Sequence, residues 1–525
     1  MKMGLRRLAA AGLLIALVVG VVLPGCSSKG SADKKTLTIA LGEEIESTDV
    51  QQVNWSNVVH DLIYTPLITM GPQNNQVMPA ACSSVTIAPD NLSITLKFPP
   101  EMKFGDGTPI TADMIKASIE RYISISPYGS DWDPVEGIDV ADAHTLVLKL
   151  KEPAAFFLYA ICTAYAGIVD AAKAASMGKE AFGRAAVTYG PYMVKEWQQG
   201  SQVTLVKNPY YINSEPFVKN KGPAGFDTVV VRFIPDSFTR TQELLRGNID
   251  MMMDVPIESV PQLQGSKNVV VEKYLEPGTH YIAFNTKSGP FSDLKLRQAV
   301  AYAVNRDEIQ TALSGGVKPQ YGIMAPAQIC FDQAAEDAVK AQLAFNLDKA
   351  KQLLAEAGYA DTNGDGFVEK DGRPFSPTIM VSNDRGMDRL AAPVVQQQLK
   401  AIGINAQVAE YEHSYVRQNI ADNKFDMAIY NHVWTDPDIW YYTFHSSQTK
   451  NWSSPETDRI LEQGRVTMDM AARTATYAKL TQAIADQLPV LPLFSQYNYI
   501  AYRSNVRGLV IGVDGTLYWS DVAKK

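Results

Sequence analysis

The sequence predicts an α/β protein built as two or three lobes. Alternating strand-like runs and amphipathic helical runs intermix along the whole chain, the pattern of sheets covered by helices. The chain has 525 residues, more than one hydrophobic core usually organises. Its composition, 46% hydrophobic and 20% charged, is that of an ordinary globular body.

The chain opens with a leader. Arg6 and Arg7 form a positive head, Leu8 to Leu23 an apolar body, and Gly25 the small residue ahead of a cut. Val21-Val22-Leu23-Pro24-Gly25-Cys26 resembles a bacterial lipobox, which implies that residues 1–25 are removed and that the Cys26 sulfur carries a diacylglycerol. Acyl chains bury methylenes at about 0.8 kcal/mol each, so several of them hold a soluble body at a bilayer. A transmembrane anchor is the competing reading. The apolar run is about 16 residues, short of the roughly 20 that a span needs. Residues 26–35 are small and polar after the cysteine and read as a tether.

The fold is expected to begin at the alternating strand Thr36–Ala40. Ser56 to Ile68 reads as a helix, and Val85–Ile87 with Ser93–Phe98 as a hairpin. Thr111 is a suitable cap for a helix reaching about Ile123. Thr145–Leu150 and Gln202–Lys207 read as another strand pair. Asp236–Gly247 is a helix with Gly247 as its stop, and Met251-Met252-Met253 behind it reads as core. Leu294–Asn305, Leu347–Ala357 and Arg389–Ile402 are further helices, the last two stopped by Gly358 and Gly403. Thr457–Leu488 reads as one long helical region broken at Leu488-Pro489.

Charge and motif content exclude several functions. The net charge is −8, and Lys2, Arg6 and Arg7 leave with the leader, so the mature body is more acidic still. Nucleic acid is thereby excluded as the main partner, because it needs a basic surface. Cys82, Cys162 and Cys330 are far apart, and the sequence fits either one disulfide plus a thiol or three thiols. No Gly-x-Ser-x-Gly and no His-Glu-x-x-His is present, so no catalytic centre and no cofactor is expected. One loop has metal-like spacing: Asp361, Asn363, Asp365 and Glu369 with glycines between. A calcium loop needs a bidentate Glu at its twelfth position, where Gly372 stands, so the segment reads as a polar turn with calcium as the alternative.

Six segments carry a resemblance. They are Phe104-Gly-Asp-Gly-Thr-Pro109 leading to Thr111-Ala112-Asp113, Gly190-Pro191-Tyr192 followed by Trp197 and Asn208-Pro209, and Arg246-Gly247-Asn-Ile-Asp250. Then come Phe284-Asn285 with the run from Pro290 to Arg306, Asn346 to Tyr359 with Gly364-Asp-Gly366, and Phe425-Asp426 with Asp436-Pro437-Asp438. In this order they resemble the family 5 extracellular solute-binding proteins of ABC transporters, the peptide and nickel class. The resemblance implies a periplasmic-binding-protein-like fold of two lobes with a hinge and an extra subdomain on lobe one. Lobe one would span 36–280 with the subdomain at about 71–187, lobe two 281–490, and 491–525 would return to lobe one. It further implies a monomer that closes over its ligand, serves ABC permease subunits, and sits lipid-anchored on the extracytoplasmic face of the cell membrane.

The same resemblance locates the ligand. In peptide-binding members a carboxylate four positions before the Pro of an Asp-Pro element holds the peptide ammonium; here that position is Val433. Asp436, beside Trp434, is the substitute anchor. His432 and His445 are expected to join them, with Trp55 as an aromatic wall from lobe one and Arg385 as the partner of an anionic group. Trp440, Tyr441 and Tyr442 read as core packing. An oligopeptide or similar zwitterion is the expected ligand; the alternative is a nickel or cobalt chelate of histidine or an opine-like metallophore, which neutral imidazoles suit.

Overall fold

The computed structural model describes residues 35–73 and 75–525. The leader, Cys26 and the tether up to residue 34 lie outside the described residues. A twelve-stranded mixed sheet is the spine of the body. One strand organises it: Val490–Arg503, 14 residues and about 45 Å of extended chain. Its first half pairs antiparallel with Gly278–Phe284 and Val317–Pro319, its second half with Val269–Leu275 and Met251–Met252. Beyond Gly278–Phe284 come Met427–Val433, Thr378–Ser382 and Gln407–Tyr411, the last three mutually parallel. Beyond Met251–Met252 come Thr36–Leu41 and Thr228–Phe233 in parallel, then Gln202–Lys207 and Tyr192–Gln198 antiparallel. Two backbone links thus join the halves of the sheet: the middle of Val490–Arg503, and Glu276-Pro277 between Leu275 and Gly278.

A separate antiparallel sheet of Ser84–Ile87, Ser93–Lys97, Thr145–Leu150 and Val135–Asp142 packs against the Ala112–Ile125 helix. Alternate residues of these strands, Ile94 and Leu96, Leu146 and Leu148, are fully buried, as are Leu37, Ile39, Val229 and Val231 in the large sheet. They belong to one apolar core; Ile282, Ile379, Val381, Ile429 and Leu491 belong to another under the opposite half. Met251, Met252 and Met253 are buried, as their sequence suggested.

Helix ends follow their caps. Thr111 accepts from the Met114 amide, Asp236 from Thr239, and Gly247 ends its helix in the left-handed region at φ 82. Four expectations change. The helix of Ser56–Ile68 is only Val58–Ile63, started by a reciprocal Asn57–His60 capping box and ended before the Thr65 amide turns to Tyr189 O at 2.8 Å. Thr145–Leu150 and Gln202–Lys207 sit in different sheets, because strand patterning does not say which partner completes a ladder. The Thr457–Leu488 region is two helices, Pro455–Val466 and Met470–Gln487, since Asp469 caps the second by accepting from Ala472 N at 2.8 Å. The last change is at Arg389–Ile402, which starts earlier, at Gly386, and carries Pro393 inside it.

Cys82, Cys162 and Cys330 are free thiols. In the 361–369 loop Asp361 accepts from the amides of Gly364 and Gly366, and Glu369 from Thr362 and Asn363. These bonds make the segment a self-satisfied polar turn, in which oxygens of Asp361, Asp365 and Glu369 lie within 4.8 Å of one another. Among the described residues no helix is long and apolar enough to cross a membrane.

Candidate ligand-binding cleft

The strand Met427–Val433 ends against the chain link between the two halves. The Trp434 amide donates to Pro277 O at 3.0 Å, and Gln328 Nε2 donates to Trp434 O at 2.8 Å. This pins Trp434 between two cavities. One, of about 410 Å³, has one wall of Trp55, Tyr128, Asp131 and Phe156; the facing wall includes Arg385, His413, Arg417, His432, Trp434 and Asp438. The second, of about 420 Å³, shares Trp434 and Asp436 with it. Five of the six expected ligand residues, Trp55, Arg385, His432, Trp434 and Asp436, therefore line one cavity.

The charges in the first cavity fall into two groups. Arg385 and Arg417 both act on His413 and Tyr430. Neither guanidinium pairs with a carboxylate among the described residues, and Arg385 Nε is enclosed without a partner. Asp131 and Asp438 form the other group, both acting on Tyr442. Burial, with Asp133 behind it, pushes Asp131 up to about 6. Burial pushes Asp438 up to about 7 against the pull of Arg465, whose Nε lies 3.0 Å from Oδ1 as an ion pair without hydrogen-bond alignment.

His432 sits among Tyr281, Tyr430 and Trp440 at ring distances of 6.0, 5.5 and 5.8 Å. Enclosure by these rings, then the neighbouring His413, lowers it to about 4, so it is a neutral imidazole at physiological pH. His413 stacks on Tyr430 at 5.5 Å and is lowered by burial and by Arg385.

Two expected site residues do different work. Asp436 lines the cavity, but Arg473 grips both its oxygens, at 2.6 and 2.8 Å, and the Asp438 amide adds a third bond. A carboxylate already neutralised in this way is not a free acceptor for an ammonium. His445 is outside the cavity wall: it stacks on Tyr441 at 4.3 Å and bonds Ser447 and Glu462. Tyr442, read from sequence as core, is 47% exposed and lines the cavity, whereas Trp440 is fully buried.

Tyr128, Asp131, Phe156, His413 and Arg417 also line the cavity and were not legible from sequence. Asp131 and Phe156 come from the smaller-sheet region, and His413 and Arg417 from the His413–Ala421 helix, none carrying a local motif. Asp438 did have a signal, the second acid of Asp436-Pro437-Asp438.

Comparison with known proteins agrees with this architecture. The profile of bacterial extracellular solute-binding proteins, family 5 (middle), matches residues 76–454. The chain is 27% identical to the oligopeptide-binding protein AppA of Bacillus subtilis, over 96% of each chain. The solved structure of that protein with a nonapeptide superposes with a TM-score of 0.73 at 24% identity, covering 93% of this chain and 99% of the other. NikZ from Campylobacter jejuni, solved with Ni(L-His), gives a TM-score of 0.75 at 20% identity, covering 92% and 97%. The fold is thus the α/β, two-lobe, periplasmic-binding-protein-like one, and the chain belongs to the family 5 bacterial extracellular solute-binding proteins.

Proposed function

We propose that this protein is a receptor, lipid-anchored through Cys26, that captures a short peptide or similar zwitterion in the cleft and delivers it to an ABC importer. The observation that carries the reading is the charge layout of the cleft. Among the described residues Arg385 and Arg417 make no ion pair with a carboxylate, and Asp131, on the wall opposite, makes none with a cation. A ligand carboxylate on the guanidiniums and a ligand ammonium near Asp131 and Asp438 would satisfy both groups at once. A volume of about 410 Å³ falls in the roughly 300–1,000 Å³ range of small-ligand pockets. Trp55 is 71% exposed and Val433 44%, so closure of the two halves over a ligand would bury apolar surface that now faces solvent. In this reading the halves of the sheet act as lobes, and Glu276-Pro277 and the middle of Val490–Arg503 act as the hinge.

Calorimetry with a di- to pentapeptide panel tests the proposal. Peptides with a free C-terminus should bind, and Arg385→Met should weaken them about 10-fold or more, the scale of one charge-assisted pair. C-terminally amidated peptides should be nearly insensitive to that substitution. No heat and no thermal stabilisation with any peptide would refute the peptide reading.

One observation favours a second reading. His413 and His432 both line the cleft as neutral rings, the form in which imidazole binds metal. A nickel or cobalt chelate would then be the cargo. Elemental analysis of protein incubated with nickel and histidine decides it: metal retained by the wild type and lost in His432→Ala supports a chelate, and no retained metal removes it.

A further inference from the structure

The second cavity has a different character from the cleft it adjoins. Its lining contains Asp61, Glu215 and Asp514 and no lysine, arginine or histidine. Asp436, in the same wall, is neutralised by Arg473. Among the described residues the other carboxylates make no ion pair with a cation.

Glu215 is 8% exposed. Asn213 donates to its Oε2 at 3.1 Å, and among the described residues no donor reaches Oε1. The nearest ammonium, on Lys221, is directed at the Glu215 backbone carbonyl instead. Asp61, on the short Val58–Ile63 helix, has no side-chain hydrogen bond or ion pair among the described residues. Burial pushes both carboxyls up to about 7, with Asn213 and Lys221 only partly offsetting it at Glu215. Asp514 is 6% exposed, and both its oxygens are held by Thr516, so it adds charge to the chamber without needing a new donor.

An enclosed carboxylate short of donors is costly, and a cation entering the chamber removes that cost. The chemistry of the chamber selects among cations. Only Asp361, Asp365 and Glu369 bring three ligand atoms within 4.8 Å of one another among the described residues, so the chamber acids do not converge on a metal ion. The walls carry Tyr159, Tyr211, Tyr274 and Trp434, whose ring faces suit an organic ammonium or guanidinium on an alkyl stem.

We propose that this chamber is a side-chain subsite of the cleft that takes a lysine or arginine residue of the ligand, with Asp61 and Glu215 as its anionic contacts and Trp434 as the shared wall. This rests on the peptide reading above. It makes the cargo basic peptides in particular, rather than peptides in general.

The test is calorimetry on the intact mature protein with tri- and tetra-alanine carrying a single lysine at each position in turn, each matched to its norleucine isostere. At one position at least, lysine should bind about 10-fold or more tightly than norleucine. In Asp61→Asn/Glu215→Gln that preference should fall to within about twofold while the norleucine peptides keep their affinity. Those unchanged affinities also report that the variant is folded. Norleucine and lysine binding equally at every position would overturn the subsite and leave the peptide reading standing. Binding by no peptide at all would overturn both.

Discussion

Arg473→Met is expected to destabilise the protein by about 3–5 kcal/mol, the scale for removing one partner of a buried ion pair. Arg473 and Asp436 are each about 1% exposed, and the guanidinium meets both carboxylate oxygens. Its Nε also donates to Gly464 O at 2.8 Å, which ties the Pro455–Val466 and Met470–Gln487 helices to the loop below Trp434. Arg473 lies over the Tyr159 and Tyr477 rings, and without it the Asp436 carboxylate is left buried with no counter-charge. Urea unfolding of the single variant and of Asp436→Asn/Arg473→Met checks the origin of the loss. The double variant should recover much of it, because it removes the orphaned charge. A single-variant loss below about 1 kcal/mol would mean that Asp436 finds water or another cation, and would restore it as a candidate ammonium anchor.

The second large effect is expected at the chain link. His280 lies between two carboxylates, Nδ1 2.5 Å from Asp388 and Nε2 2.7 Å from Glu276, with all three side chains buried. Burial alone would lower the imidazole, but Asp388 and then Glu276 outweigh it and raise it to about 10. The folded state therefore keeps a proton that the unfolded chain releases near 6.5. The stabilisation is fully present below about pH 6.5, falls by about 1.4 kcal/mol per unit above it, and is gone beyond about 10. Other groups titrate in this range, so the informative quantity is the difference between wild type and His280→Gln in unfolding free energy at pH 6, 8 and 10. That difference should shrink by a few kcal/mol as pH rises. A difference independent of pH would show that the ring is not held as imidazolium. Glu276 belongs to the link between the halves, and Asp388 lies one turn into the helix that begins beside Arg385. The triad therefore fixes the position of a cleft residue relative to the link.

Much of the fold was legible from local chemistry. Caps such as Thr111, Asp236 and Asn346 act on amides two or three residues away, so the helices they start can be read in a short window. Breaks were harder. One helix ends at Val466 and Asp469 caps the next, yet Thr467-Met468-Asp469 looks like continuing helix until the cap bond forms. Strand pairing failed for a similar reason: Thr145–Leu150 and Gln202–Lys207 have the same alternation, and only their distant partners assign them to separate sheets.

The lining of the candidate cleft was partly legible for a different reason. Trp434 and His432 were found through the Asp436-Pro437 motif, and Trp55 and Arg385 through their residue chemistry, and the fold brings all of them to one cavity. Asp436 and His445 show the limit. Their residue types suit a ligand, but Arg473 is 37 residues from the first and Glu462 is 17 from the second, and those partners decide what the side chains do.

By itself the sequence determined the α/β class, the family, and an acidic chain without the catalytic motifs sought. Those properties rest on composition and on contacts between near neighbours. The tertiary structure alone decided which charges are paired among the described residues: Asp436 closed by Arg473, His280 clamped at the chain link, Arg385 and Arg417 without an ion-pair partner there, Asp61 and Glu215 facing a chamber whose described lining holds no cation. The reason is physical. A charge takes its energy from whatever surrounds it in space, and folding draws those surroundings from segments hundreds of residues apart.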